Sequence, residues 1–164
     1  MERWIQLLPE CYADTLLIDI LGYKNPNHQP SISEVANAMS HRGYKNQLAI
    51  GVIDKDKNMP AYFADFEVLK RTESLELKKH PQKKHYTIIL CPAFEVFIQT
   101  AAEEVKIDLA KFGFGNLKYF KSVCKSIHAA KNQNLKQLLN TINQKQAPST
   151  EQIKNWINEI IENK

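Results

Sequence analysis

The chain has 164 residues and a mass of 18.9 kDa, enough for one domain, or one domain with a small appendage, to bury a core without disulfides. Its 43% hydrophobic and 24% charged residues exclude a disordered tail, a collagen-like fibre and a coiled-coil rod. A net charge of +4 and a pI near 8.9 permit a polyanionic partner without demanding one.

Arg3–Leu8 is a short apolar run stopped by Pro9, and it reads as a buried strand. Asp14 through Leu21 carries leucine and isoleucine at helical spacing and ends at Gly22. After a polar loop, Ser31 or Ser33 caps a second helix that Gly43 closes. Gln47–Ile53 is an aliphatic strand ending in Asp54-Lys55-Asp56-Lys57. The spacing predicts a helix over Ala61–Arg71, strands over Ser74–Lys79 and His85–Cys91, and a helix over Ala93–Lys106. From about Asp108 the character changes. Three helical segments follow, broken at Phe112–Gly115 and Ala147–Ser149, with Ser149 or Thr150 expected to cap the last. The expected organisation is therefore an α/β domain over 1–107 with a mostly parallel sheet, and a helical extension over 108–164 packed on it.

In a parallel α/β sheet, functional residues gather where strands end. Glu10 lies just past the first strand, and Asp54 and Asp56 lie just past the second. An Asp-x-Asp after an apolar strand offers hard oxygen ligands to one Mg²⁺ (or Mn²⁺), an ion content with one or two carboxylates plus phosphate. A third carboxylate nearby can bind a second ion or serve as general acid or base.

Three segments resemble one known family. Glu10-Cys11-Tyr12-Ala13-Asp14-Thr15-Leu16-Leu17 resembles the opening motif of TOPRIM domains, where a strand ends in glutamate before a turn and an acid-bearing helix. Gly51-Val52-Ile53-Asp54-Lys55-Asp56 resembles their second motif, and Cys91-Pro92-Ala93-Phe94-Glu95-Val96-Phe97-Ile98 is similar to a strand-to-helix segment of RloB-like, stand-alone TOPRIM proteins. The resemblance covers roughly Arg3 to Glu104. It implies a Rossmann-like TOPRIM fold and a magnesium-dependent nuclease or phosphodiesterase acting on nucleic acid, as in bacterial defence systems, with a partner protein such as a separate ATPase. By that resemblance Glu10 is the acid/base or a metal ligand, and Asp54 and Asp56 are metal ligands. Asp14 and Glu95 support the site, while Lys55 or Lys57 meets a phosphate. Cys11 stands where the family commonly has glycine, and Ala13 where it often has a hydroxyl residue.

Each feature also has a plainer reading. Asp-x-Asp is a common turn signal, Asp14 reads as a helix N-cap in preference to a ligand, and Glu95 complements a helix dipole. The run Lys78–His85, including Lys83 and Lys84, reads as a charged hairpin in preference to a phosphate loop. The histidines lack metal-site spacing, and Phe112, Phe114, Tyr119 and Phe120 suit core packing. Cys91 is expected to be buried and inert, and Cys11 is the thiol nearest the acids. Three scattered cysteines suggest neither disulfides nor a zinc site. With no long apolar stretch and no signal-like start, a cytoplasmic, non-membrane protein is expected. Besides the nuclease, a non-catalytic protein-interaction module and a nucleotide-binding regulator fit the same sequence.

Overall fold

The computed structural model describes residues 6–41, 43–55 and 57–163. Five strands form one sheet in the order β1-β2-β5-β4-β3. They are β1 (Gln6–Pro9), β2 (Ala49–Asp54), β3 (Glu67–Arg71), β4 (Leu75–Lys79) and β5 (His85–Leu90). β1, β2 and β5 run parallel, while β4 pairs antiparallel with both β5 and β3. Four strands thus point one way and β4 opposes them, so the sheet is mixed and mostly parallel. Arg3, Trp4 and Ile5, expected in the first strand, lie outside the described residues.

Strand alternation sorts the core into two layers. Leu7, Ile50, Val52, Leu75, Leu77, Ile88 and Leu90 face one side, where they meet helices α1 (Tyr12–Ile20) and α3 (Phe94–Glu104). Leu8, Ala49, Ile53 and Ile89 face the other, beneath α2 (Ile32–His41) and the aromatic cluster of Phe63 and Phe66. Gly51 lies on this second face. A Cβ there would sit 2.9 Å from Val35 Cγ1, so glycine lets α2 approach the strand closely.

The predicted caps are met in part. Ser31 Oγ accepts the Glu34 N–H at 3.2 Å, starting α2. Gly22 adopts φ +106°, a left-handed conformation suited to glycine, just beyond α1.

The segment expected as a helix over Ala61–Arg71 is different: a single 3-10 turn at Ala61–Phe63 is followed by edge strand β3. Every residue of β3 is exposed, so the strand carries none of the alternation by which a half-buried strand is recognised. A bulge between Val68 and Lys70 interrupts its pairing with β4.

The last third forms α4 (Leu117–Cys124), α5 (Gln133–Gln144) and α6 (Pro148–Glu162). Their apolar faces merge with the sheet's α1/α3 layer: Phe114, Phe120, Leu135, Leu138, Ile142, Ile153, Trp156 and Ile157 are all buried in one continuous core with it. Polar ties reinforce the joint. Asn143 Nδ2 donates to the Ile20 carbonyl at the end of α1, and the Tyr23 hydroxyl donates to Asn158 Oδ1 at 2.7 Å. Neither Ser149 nor Thr150 caps α6. Pro148 occupies its first position, and the Glu104 carboxylate of α3 accepts the Ser149 N–H at 3.2 Å. Among the described residues no helix is long and apolar enough to cross a membrane.

A candidate metal centre of three buried carboxylates

Pro9 ends β1, and the backbone continues the ladder by one further bond, from Glu10 N–H to the Val52 carbonyl at 3.1 Å. Glu10 then reaches sideways. Its Oε1 accepts the backbone N–H of Asp54 at 2.7 Å, fixing one carboxylate against the end of the neighbouring strand. Asp54 is the last residue of β2, on the side of the sheet that α1 covers, as alternation from Ile50 and Val52 requires.

The third acid comes from α1. Cys11 is extended (φ −143°, ψ 170°) and forms the N-cap, its Sγ accepting the Asp14 N–H at 3.4 Å and donating to Asp14 Oδ2 at 3.1 Å. A thiol thus takes the N-cap part usually played by a hydroxyl, with the Asp14 carboxylate accepting from it in return. Asp14 is therefore not the N-cap that its sequence context suggests. It lies one turn inside the helix with its side chain turned into the site.

Ligand oxygens of Glu10, Asp14 and Asp54 all lie within 4.8 Å of one another, and the three residues are 5%, 0% and 7% exposed. Two ionised carboxylates at that separation repel by about 3 kcal/mol at an effective dielectric near ~20. Three such pairs approach the whole net stability of a domain, about 5–15 kcal/mol. The cluster therefore takes up protons or a cation. Burial, then the charges of Asp54 and Glu10, push the Asp14 carboxyl well above its ordinary value. Asp14 Oδ1 is buried and has no hydrogen-bond partner among the described residues. An orphaned, buried carboxylate oxygen facing two further carboxylates is the donor set a hard divalent cation requires, so these residues can hold a metal ion. Which metal they select is not fixed by oxygen ligands alone.

The other expected site residues sort by position. Asp56 lies outside the described residues. Glu95, in the first turn of α3, is buried beside the centre but not within its 4.8 Å grouping, and its Oε1 is 3.8 Å from Lys121 Nζ. Lys55 follows Asp54, and its Nζ lies 2.8 Å from Glu76 Oε1, an acid that it shares with Arg71. Lys57 lies close enough for its charge to act on Asp14. Lys83 and Lys84 precede β5 at the other end of the sheet. The Lys84 carbonyl accepts the Ala49 N–H, and five residue steps along β2 separate that point from Asp54, about 17 Å.

Two neighbours were not legible as site residues. His28 stacks on Tyr12 with ring centroids 4.0 Å apart, and its Nδ1 lies 3.0 Å from Thr15 Oγ1. The Thr15 hydroxyl donates to the Cys11 carbonyl at 2.7 Å, so Nδ1 carries the proton and donates to Thr15. Burial holds the His28 pKa below its ordinary value. Cys124 is buried, and burial followed by the charges of Glu95, Asp14 and Asp54 drives its thiol pKa upward. Cys91, expected to be buried, is partly exposed. Burial, then the charge of Glu76, holds its thiol protonated to higher pH than usual.

No protein-family model, curated protein or solved structure matches the chain, so functional assignment rests on the site itself.

Proposed function

We propose that the protein is a TOPRIM-like, metal-dependent phosphodiesterase of the nuclease type, acting on nucleic acid with Mg²⁺ or Mn²⁺ at the Glu10–Asp14–Asp54 centre. The observation that carries this reading is the convergence of three buried carboxylates at the adjoining ends of β1, β2 and the start of α1. A glutamate after one strand and an aspartate ending the next also agree with the TOPRIM resemblance in order and placement.

A divalent ion bound there supplies positive charge to phosphate oxygens and makes a water a better nucleophile near neutral pH. The protein's own groups supply the rest. Asp14 and Asp54 would hold the ion from two different elements, with Asp56 as the further ligand that the resemblance implies. Glu10, oriented by the Asp54 N–H on its Oε1, takes the proton of the attacking water and returns one to the leaving oxygen. The positive end of α1, whose first turn holds Asp14, adds favourable field for an anionic substrate.

The test is cleavage of labelled single-stranded DNA and RNA in Mn²⁺ by the wild type, Glu10→Gln and Asp54→Asn. Cleavage by the wild type alone, abolished by EDTA, is the expected outcome. Equal activity in all three proteins, or none in any while Mn²⁺ binds, would overturn the nuclease assignment.

A further inference from the structure

The face of the sheet opposite α1 and α3 is only partly roofed. Among the described residues, α2 and the 3-10 turn cover β1, β2 and β5 on this side, while β4 and β3 carry long side chains. Register sets which ones. Arg71 pairs with Glu76 and Val68 with Lys78, and all four residues share this face with Ile89 and Thr87.

Their charges are unbalanced. Glu76 is 3% exposed because two cations lie on it: Lys55 Nζ at 2.8 Å and Arg71 Nε at 3.2 Å, both to Oε1. One buried negative charge is thus shared by two exposed cations, and Lys78 stands beside it. Towards the other end of the strands comes a ring cluster, with His80 packed edge-on to Phe66 and Lys83 Nζ 5.7 Å from the Tyr62 ring centre. His80 Nδ1 accepts the N–H groups of Gln82 and Lys83, which leaves its other nitrogen as the protonated one. Lys83 also lines a hollow of about 520 Å³ between α2 and Tyr62, together with His41, Lys45, Ser33 and Asn37. Among the described residues no acid lines that hollow, and Asp65 is an acid whose charge reaches His80.

Cations beside two half-buried rings, Tyr62 and His80, on a surface starting one residue from Asp54, match a flexible polyanion with stackable bases. We propose that this surface, from Lys55 and Arg71 through Lys78 to the Lys83 hollow, seats the backbone of a single-stranded nucleic acid. It rests on the nuclease reading only for its destination, the carboxylate centre. A duplex keeps its bases stacked inside, whereas a single strand offers phosphates and bases together, which is what alternating lysines and rings can use.

The test separates the seat from the centre by removing metal. Fluorescence anisotropy in EDTA would follow binding of labelled dT20 and rU20 to the wild type, to Lys78→Gln/Lys83→Gln, and to the charge-matched control Lys118→Gln/Lys125→Gln, on α4 and at its C-cap. Neither altered pair includes Lys55 or Arg71, the ion-pair partners of Glu76, and thermal melting would establish that both variants fold. The seat predicts about tenfold weaker binding for Lys78→Gln/Lys83→Gln at 0.1 M salt. The slope of log K against log salt should shallow by about 1.4, at ~0.7 per phosphate contact. The control should change by less than twofold. Equal weakening of both variants, or no binding of either oligonucleotide to the wild type, would overturn the proposal. Preference for dT20 or rU20 identifies the polymer and supports the seat in either case. Loss of Mn²⁺ binding or cleavage alone would strike the nuclease reading and leave this result standing.

Discussion

Asp14 is buried without exposure, its Oδ2 accepts a hydrogen bond from the Cys11 thiol, and its Oδ1 has no partner among the described residues. Its folded pKa lies above the ordinary 3.8, through burial first and then Asp54 and Glu10. Between the two values the folded state binds the extra proton, so the metal-free protein loses stability as pH rises from about 4 through the raised pKa. A divalent ion opposes that loss by favouring the ionised form. The rise in Tm produced by Mn²⁺ should therefore grow between pH 5 and pH 8. At about 100-fold excess over Kd it should reach roughly 5–10 °C, from about 2.7 kcal/mol of linkage. Asp14→Asn should raise the metal-free Tm at pH 8 and remove most of the Mn²⁺ effect. Scanning calorimetry across that pH range reads both, and a metal effect that shrinks with pH would contradict the assignment. Glu10 has a separable structural part, since its Oε1 satisfies the buried Asp54 N–H. Glu10→Ala should cost about 1–3 kcal/mol in urea denaturation, whereas Glu10→Gln keeps an acceptor and should cost much less. Glu10 and Asp54 were legible because a strand end is where a parallel sheet exposes its acids. Asp14 was misjudged because cysteine is a poor cap by propensity, and nothing local says that Cys11 takes the cap and turns Asp14 inward.

Elements position the centre by two close approaches. α1 brings Asp14 to the end of β2, and α2 lies against Gly51 on the opposite face. Gly51→Ala would force its Cβ to 2.9 Å from Val35 Cγ1, a stiff branched side chain. That substitution should cost about 1–3 kcal/mol and lower Tm, while the acids facing α1 stay in place. Wild-type stability by thermal melting would refute the close approach. Alternating strands and helices through α3 were readable from apolar period and from Pro9, Gly22 and Gly43. β3 was not: Phe63 and Phe66 recur at helical spacing just before it, and an edge strand exposed on both faces has no burial period to show. The start of α6 was likewise hidden, because its first N–H groups are served by Glu104, far away in the chain. Caps supplied from another element leave no local mark.

At the scale of the whole molecule, the helical tail completes the wall behind the carboxylates. Leu135, Leu138, Ile142, Ile153, Trp156 and Ile157 bury their side chains in the same core as Leu16, Leu17 and Phe97. Each contributes about 1.5–3 kcal/mol, so their sum matches or exceeds the net stability of a domain. A chain ending at residue 107 should therefore lack cooperative unfolding and bind hydrophobic dye. Leu138→Ala in the full chain should cost about 2–5 kcal/mol. Helical spacing in the tail was visible in the sequence, but its merger with the sheet core depends on pairings across more than a hundred residues. The proposed chemistry requires that the three acids form one cation site. Isothermal titration of Mn²⁺ into the wild type and into Asp14→Asn/Asp54→Asn, at pH 7.5 with both proteins shown to be folded, tests it most directly. Saturable binding to the wild type is expected, with at least a tenfold loss in the double variant. Equal binding by the two proteins, or none by the folded wild type at millimolar Mn²⁺, would contradict it.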